Sequence, residues 1–249
     1  MVFRKLILLF ILPLVTTFSY CQLPKHLFNE ATGEEFDTKN FISNSKAKKE
    51  LLGAYHFGES ESEWDLVVLQ NGDSLILQAY NGTWGKSYYS KHDIWLLECE
   101  TFNKVSISGT KFKFGNYSGQ FVAYKIGNKL KNAIILYCDL MAGRNYGKDS
   151  AEVGFFNTKP EVFFSRNDYY QLSIAVQPDS YFSGKSKQEL RIMRNTIFAQ
   201  YGLIFQQGGE MEKYFKKKDW YNPYKKDVSD CLTRIELINL QTISKFEKQ

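Results

Sequence analysis

Trp64-Asp65-Leu66-Val67-Val68-Leu69-Gln70-Asn71-Gly72-Asp73-Ser74-Leu75-Ile76-Leu77-Gln78-Ala79-Tyr80 decides the architecture of the larger part of this chain. Two runs of β-branched and large apolar residues flank Asn71-Gly72. That dipeptide is the strongest short-range hairpin signal, because both residues tolerate the positive φ of a tight turn. Downstream the texture repeats. Residues 93–98, 104–108, 111–114, 118–126, 132–138, 153–156, 162–165 and 169–176 each read as a short strand. Gly109-Thr110, Gly115-Asn116-Tyr117 and Gly127-Asn128 punctuate the series. Short strands about ten residues apart, with no long helix between them, predict an antiparallel β-barrel or sandwich.

Upstream, residues 24–49 are polar and weakly patterned, with a short helix expected over 45–52. Gly53-Ala54-Tyr55 bears a faint resemblance to the Gly-x-Trp that opens lipocalin-like barrels. A barrel is a fold and names no function.

The period changes after Gln177-Pro178-Asp179-Ser180. Ser186 and Glu189 are spaced as a capping box, and Leu190, Met193, Ile197 and Tyr201 recur at helical spacing up to Gly202, a left-handed stop. Residues 209–217 predict a second helix with Met211, Tyr214 and Phe215 inward. Trp220-Tyr221-Asn222-Pro223 makes a turn, and a last helix from about Ser229 aligns Leu232, Ile235, Ile238 or Leu240, Ile243 and Phe246. The chain is therefore α+β: a β-rich domain over 23–177, then a small all-helical domain over 181–249.

Glu189-Leu190-Arg191-Ile192-Met193-Arg194-Asn195-Thr196-Ile197-Phe198-Ala199-Gln200-Tyr201-Gly202 resembles the signature helix of the YARHG domain. Ile204-Phe205, Tyr214-Phe215, Asp219-Trp220-Tyr221-Asn222-Pro223 and a terminal helix with Leu232 and Ile235-Glu236 follow in the family's order. The resemblance covers residues 181–246 and implies an exported protein of the bacterial envelope. It departs from the family where Gln200 and Tyr201 stand in place of arginine and histidine.

Residues 1–22 have the plan of a cleaved secretory signal: Arg4 and Lys5, an apolar run over 6–15, then Ser19 and Cys21 before a cut at Gln22. Lipid attachment at Cys21 is the rival reading; Tyr20 is bulky where a lipoprotein signal has a small residue. The apolar run is about half of the roughly 20 residues that a spanning helix needs, and no later segment reaches that length. These features predict a secreted, periplasmic or cell-surface protein with no transmembrane segment after cleavage.

Residues 185–249 hold 13 basic and 8 acidic side chains, a net +5; the precursor's +5 less Arg4 and Lys5 is +3, so residues 23–184 carry −2. A basic module on a near-neutral body suits an anionic envelope component such as peptidoglycan, or is simply a solvated face. Export argues against nucleic acid. Of three cysteines left after cleavage, Cys99 and Cys138 both fall in expected strands and form the expected pair, with buried thiols the alternative.

Chemistry is sparse. His26, His56 and His92 have no metal-ligand spacing, and no nucleophile motif surrounds any serine or cysteine. Gly143-Arg144-Asn145-Tyr146-Gly147-Lys148 is one residue short of a phosphate loop and reads as a turn. Glu59, Glu61, Glu63 and Asp65 share one strand face, which solvates a surface more often than it binds calcium. No cofactor is implied, and the absence of an acid–base set favours a binding module over an enzyme. Candidate ligand contacts are Trp84, in the glycine-flanked Asn81-Gly82-Thr83-Trp84-Gly85, with Tyr88 and Tyr89 nearby. Lys216, Lys217 and Lys218 are the candidates in the helical module. For the aromatics the competing role is core packing, and for the lysines it is a solvated helix end. A wall-polymer hydrolase and a carrier of small apolar ligands stand as alternatives.

Overall fold

A computed structural model describes residues 23–30, 32–44, 48–59 and 63–249. The signal segment, Cys21 and Glu61 lie outside these residues. The first strands are β1 His26–Phe28, β2 Glu35–Phe36, β3 Phe41–Ser43, β4 Gly53–Phe57, β5 Trp64–Asn71 and β6 Ser74–Gly85. They are followed by β7 Ile94–Ser108, β8 Lys111–Phe114, β9 Tyr117–Ile126, β10 Lys129–Leu136, β11 Cys138–Asp139, β12 Arg144–Asn145 and β13 Ser150–Thr158. Strands β4 to β10 pair antiparallel in sequence order, and β13 closes the ring by pairing with both β10 and β4. The result is an eight-stranded antiparallel barrel. The expected strands at 93–98 and 104–108 are one long strand, β7.

Inward positions alternate along each strand, as the two-residue period requires. Tyr55, Phe57, Leu66, Val68, Leu77, Phe112, Phe114, Phe121 and Leu136 are all buried and fill the interior. The barrel is a packed core with five large aromatic rings inside, unlike a lipocalin's ligand chamber.

Both faces of β5 are buried, which explains why Leu66-Val67-Val68-Leu69 does not alternate with polar residues. The outward Ala54, Val67, Leu69, Ile76 and Tyr80 pack under the helical domain. A second outer patch, Val122, Ala133, Ile135, Ala151 and Val153, is covered by Leu27 and Phe41 from the lead-in segment. There β1 runs parallel to the first residues of β13, and β3 pairs with β9. The predicted helix near residue 50 is a 3-10 turn, Lys48–Leu51, with residues 45–47 outside those described.

Residues 160–176 correct the sequence reading. They form helices α1 Pro160–Phe163 and α2 Gln171–Ile174 instead of strands. Pro160 cannot donate to a ladder but suits the first turn of a helix, so β13 ends and α1 begins there. Then come α3 Asp179–Phe182, α4 Lys187–Ala199, α5 Glu210–Phe215 and α6 Arg234–Glu247. Ser186 caps α4 by accepting from the Glu189 amide, and Gly202 turns the chain with φ of 80°. The reciprocal capping box lies elsewhere, at Thr233 and Glu236 of α6.

The disulfide expectation is also corrected. Cys99 on β7 is bonded to Cys231, with Cα atoms 5.7 Å apart and 132 residues between them in sequence. Cys138 is a buried free thiol, pushed up to about 12 by burial and by the Glu152 and Asp139 charges. Cys99 points outward from the barrel and meets the helical domain, whereas Cys138 packs with the interior side chains. Opposite faces of the barrel wall keep those two apart.

Candidate functional site

The barrel and the helical domain meet across a cleft of about 430 Å³. One wall is the outer face of the β6–β7 ribbon. Strand β6 pairs with β7 out to Gly85 opposite Ile94, beyond the Trp64–Asn81 limit of the β5–β6 ladder, so the two strands project past the barrel end as an arm. Trp84 and Trp95 are cross-strand partners on this arm, their ring centroids 5.4 Å apart and nearly perpendicular. Gly82 makes the arrangement feasible, because a Cβ there would overlap the Trp95 indole. Trp95 therefore lies over the bare backbone of β6 and lines the cleft, while Trp84 stands 59 % exposed beside it.

The other wall comes from the helical domain. Phe163 and Arg166 follow from α1, Gln200 and Tyr201 from the end of α4, and Trp220, Asn222 and Tyr224 from the turn after α5. Trp220 rests one side against Phe215, at 5.9 Å between centroids, and offers the rest to the cleft. The arm grips this turn: the Tyr88 amide and the Ser87 hydroxyl donate to the Pro223 carbonyl, and the Tyr224 hydroxyl donates to the Leu97 carbonyl.

Beneath the floor lies a buried polar network. Tyr80 donates to Gln78 Oε1 at 2.6 Å, and Gln78 Nε2 donates to Tyr201 Oη at 2.9 Å and to the Cys231 backbone carbonyl at 2.7 Å. Tyr201 donates to the Glu236 carboxylate, 2.9 and 3.0 Å from its two oxygens. Ser173, Gln200 and the Thr233 amide and hydroxyl also donate to Glu236. No lysine or arginine among the described residues pairs with it. Burial pushes the Glu236 carboxyl up to about 7, against the pull of these donors. Tyr80 and Tyr201 are held well above the ordinary phenol value, first by burial and then by the neighbouring Glu236 charge.

Residues 165–248 match the YARHG domain. No curated protein and no solved structure matches the chain. The matched segment supplies most of the helical wall of the cleft, from Arg166 to Tyr224, and begins well before the expected boundary near residue 181. Gln200 and Tyr201 are the two residues that both line the cleft and contact Glu236. The buried acid therefore faces neutral donors.

The two sets of candidate contacts touch at one point, Tyr89 with Lys216. Tyr89 is half-buried against the YARHG domain, donating to Glu212 at 2.9 Å, with Lys216 Nζ 4.8 Å from its ring centroid. Lys218 pairs with Asp168 at 2.5 Å and also sits over Tyr214. Lys217 and Tyr88 remain exposed, Tyr88 at 49 %. Trp95, Arg166 and Gln200 were missed as cleft residues because the cleft exists only once two distant segments meet; the Trp84/Trp95 pair was detectable only from hairpin register.

The carboxylate set near Glu63 resolves differently. Asp65 lines the cleft and accepts from His56 Nδ1 at 3.0 Å, while Glu63 lies 3.8 Å from His56 Nε2. Burial raises the Asp65 carboxyl, with the His56 hydrogen bond acting the other way. No cluster of three or more His, Cys, Asp or Glu suited to a metal ion occurs among the described residues. At the barrel mouth a separate cavity of about 400 Å³ is lined by Glu30, Glu63, Trp64, Asp139 and Glu152. Glu152 is 2 % exposed, and burial pushes it up to about 8 although the Trp64 side chain hydrogen-bonds it.

Proposed function

We propose that this chain is an exported binding module that takes a glycan of the cell envelope, peptidoglycan among them, in the cleft between barrel and YARHG domain. The observation that carries the reading is the aromatic lining: Trp95, Trp220 and Tyr224 face one space, with exposed Trp84 at its rim. Aromatic rings stack on the apolar faces of sugar rings, while polar side chains such as Asn157 and Asn222 can bond hydroxyl groups. A volume of about 430 Å³ lies within the range of small-ligand pockets. The YARHG domain suggests an exported protein, and no helix among the described residues is long and apolar enough to cross a membrane. Asp65 is the one carboxylate among the described lining residues, which suits binding better than two-carboxylate glycoside cleavage. The aromatic filling of the barrel disfavours carriage of an apolar ligand inside it.

The test is a pull-down of residues 23–249, disulfide intact, on purified peptidoglycan and on other envelope fractions, beside a Trp95→Ala variant. Retention that drops at least tenfold in the variant supports the cleft; equal retention moves the binding surface elsewhere. A wall-polymer hydrolase has one observation of its own. Glu152, protonated near neutral pH, shares the barrel-mouth cavity with Asp139, Glu30 and Glu63, as a general acid beside carboxylates would. Product release from peptidoglycan that vanishes in Glu152→Gln would establish that reading in place of the first.

A further inference from the structure

We infer that the ligand of the cleft is a saccharide bearing a carboxylate, and that Arg166 receives that group. The inference rests on the glycan reading above and narrows it to acidic sugars. The charges around the cleft are mostly spoken for. Lys218 pairs with Asp168, and Lys225 pairs with Glu98, each at 2.5 Å. Asp65, on the barrel wall, is engaged by His56. Arg166 lines the cleft, is exposed, and has no carboxylate partner among the described residues. A guanidinium presents a planar fork that matches a carboxylate in a bidentate manner, which makes it the side chain suited to that recognition.

Its neighbours supply the complement. Asn167 follows directly and spends one amide hydrogen on Gln200 Oε1 at 2.9 Å. Gln200 in turn spends its own amide on Ser173 and Glu236, so the floor beside Arg166 has its donors directed inward. Arg166 is then the strong donor left on that wall. The ring of an acidic sugar would lie against Trp95 or Trp220, with its carboxylate on Arg166.

The experiment measures calorimetric binding of two matched pairs to the intact, oxidised chain: N-acetylmuramic acid against N-acetylglucosamine, and glucuronic acid against glucose. Each pair differs by one carboxylate-bearing group. The expected result is that the acid binds about five- to tenfold tighter than its neutral partner at low salt. The preference shrinks as salt rises and collapses to within twofold in Arg166→Gln. Preference in the first pair alone assigns the ligand to muramic acid whose lactyl carboxylate is free, as in wall glycan stripped of its stem peptides; preference in both assigns it to acidic saccharides generally. Equal binding of acid and neutral sugar, unaffected by Arg166→Gln, overturns the carboxylate inference while the glycan cleft stands. Binding of none of the four sugars overturns both.

Discussion

Raising the pH from about 5 to about 8.5 should loosen the joint between barrel and YARHG domain, and Glu236 is the group that does it. The carboxyl is fully buried among Tyr201, Gln200, Ser173 and Thr233, with no cation beside it. The titratable groups facing it are Tyr201 from the end of α4 and Tyr80 from β6, both neutral in this range. The folded site binds its proton more tightly than the unfolded chain does. Its contribution to stability is therefore complete below pH 4.5 and lost as pH rises through about 7. A rise from 4.5 to about 7, at about 1.36 kcal/mol per pH unit, corresponds to about 3 kcal/mol. For a chain of this size that is a melting shift of about 6–12 °C. Glu236→Gln keeps the shape, and its carbonyl can still accept from the Thr233 amide, but it cannot ionise. Unfolding free energies of both proteins, measured by denaturant titration across this pH range, should diverge by about 3 kcal/mol in favour of the variant as pH rises. A difference that stays constant within about 1 kcal/mol would refute the reasoning, and would mean that the donors hold Glu236 ionised throughout.

Trp84→Ala should weaken glycan binding about tenfold yet leave the melting temperature within about 1 °C, because the ring is 59 % exposed; calorimetry and a thermal melt read the two effects. Gly82→Val should displace the Trp95 indole into the cleft, abolishing binding and shifting tryptophan fluorescence, while the barrel's far-ultraviolet dichroism persists. Cys99→Ser with Cys231→Ser should cost about 3–5 kcal/mol, read by denaturant unfolding, since the bond closes a loop of 132 residues.

The barrel was legible because its evidence is local. Asn71-Gly72 marks a hairpin whichever strand lies beyond it, and Gly72 indeed takes φ of 58° between β5 and β6. The terminal helices were legible for the same reason, from the spacing of Leu190, Met193 and Ile197. Val162-Phe163-Phe164 misled because aromatic and β-branched residues pack equally well under a helix and on a sheet; Pro160 was the signal that should have outweighed them. The partner of Cys99 could not be read, since a strand's two faces are distinguished only by what covers each. The cleft was illegible for the same reason: Trp95 and Trp220 are 125 residues apart in sequence, and no local pattern joins them. Thr233-x-x-Glu236 has the spacing of a capping box but was passed over in favour of a helix start near Ser229, and its second role under the cleft depends on where Tyr201 arrives.

The Cys99–Cys231 bond also determines how the protein carries mechanical load. If α6 is pulled while the lead-in is held, only residues before Cys99 and after Cys231 can be drawn out. The bond passes the force directly from the chain just before α6 into β7, and the 132-residue span between the cysteines bears none of it. At roughly 3.5 Å per extended residue, about 460 Å of chain stays hidden from the pull until the disulfide is reduced. Most of the cleft's helical wall, from Arg166 to Tyr224, lies inside that sheltered span. A ligand held there could be tugged hard without unravelling the wall that holds it.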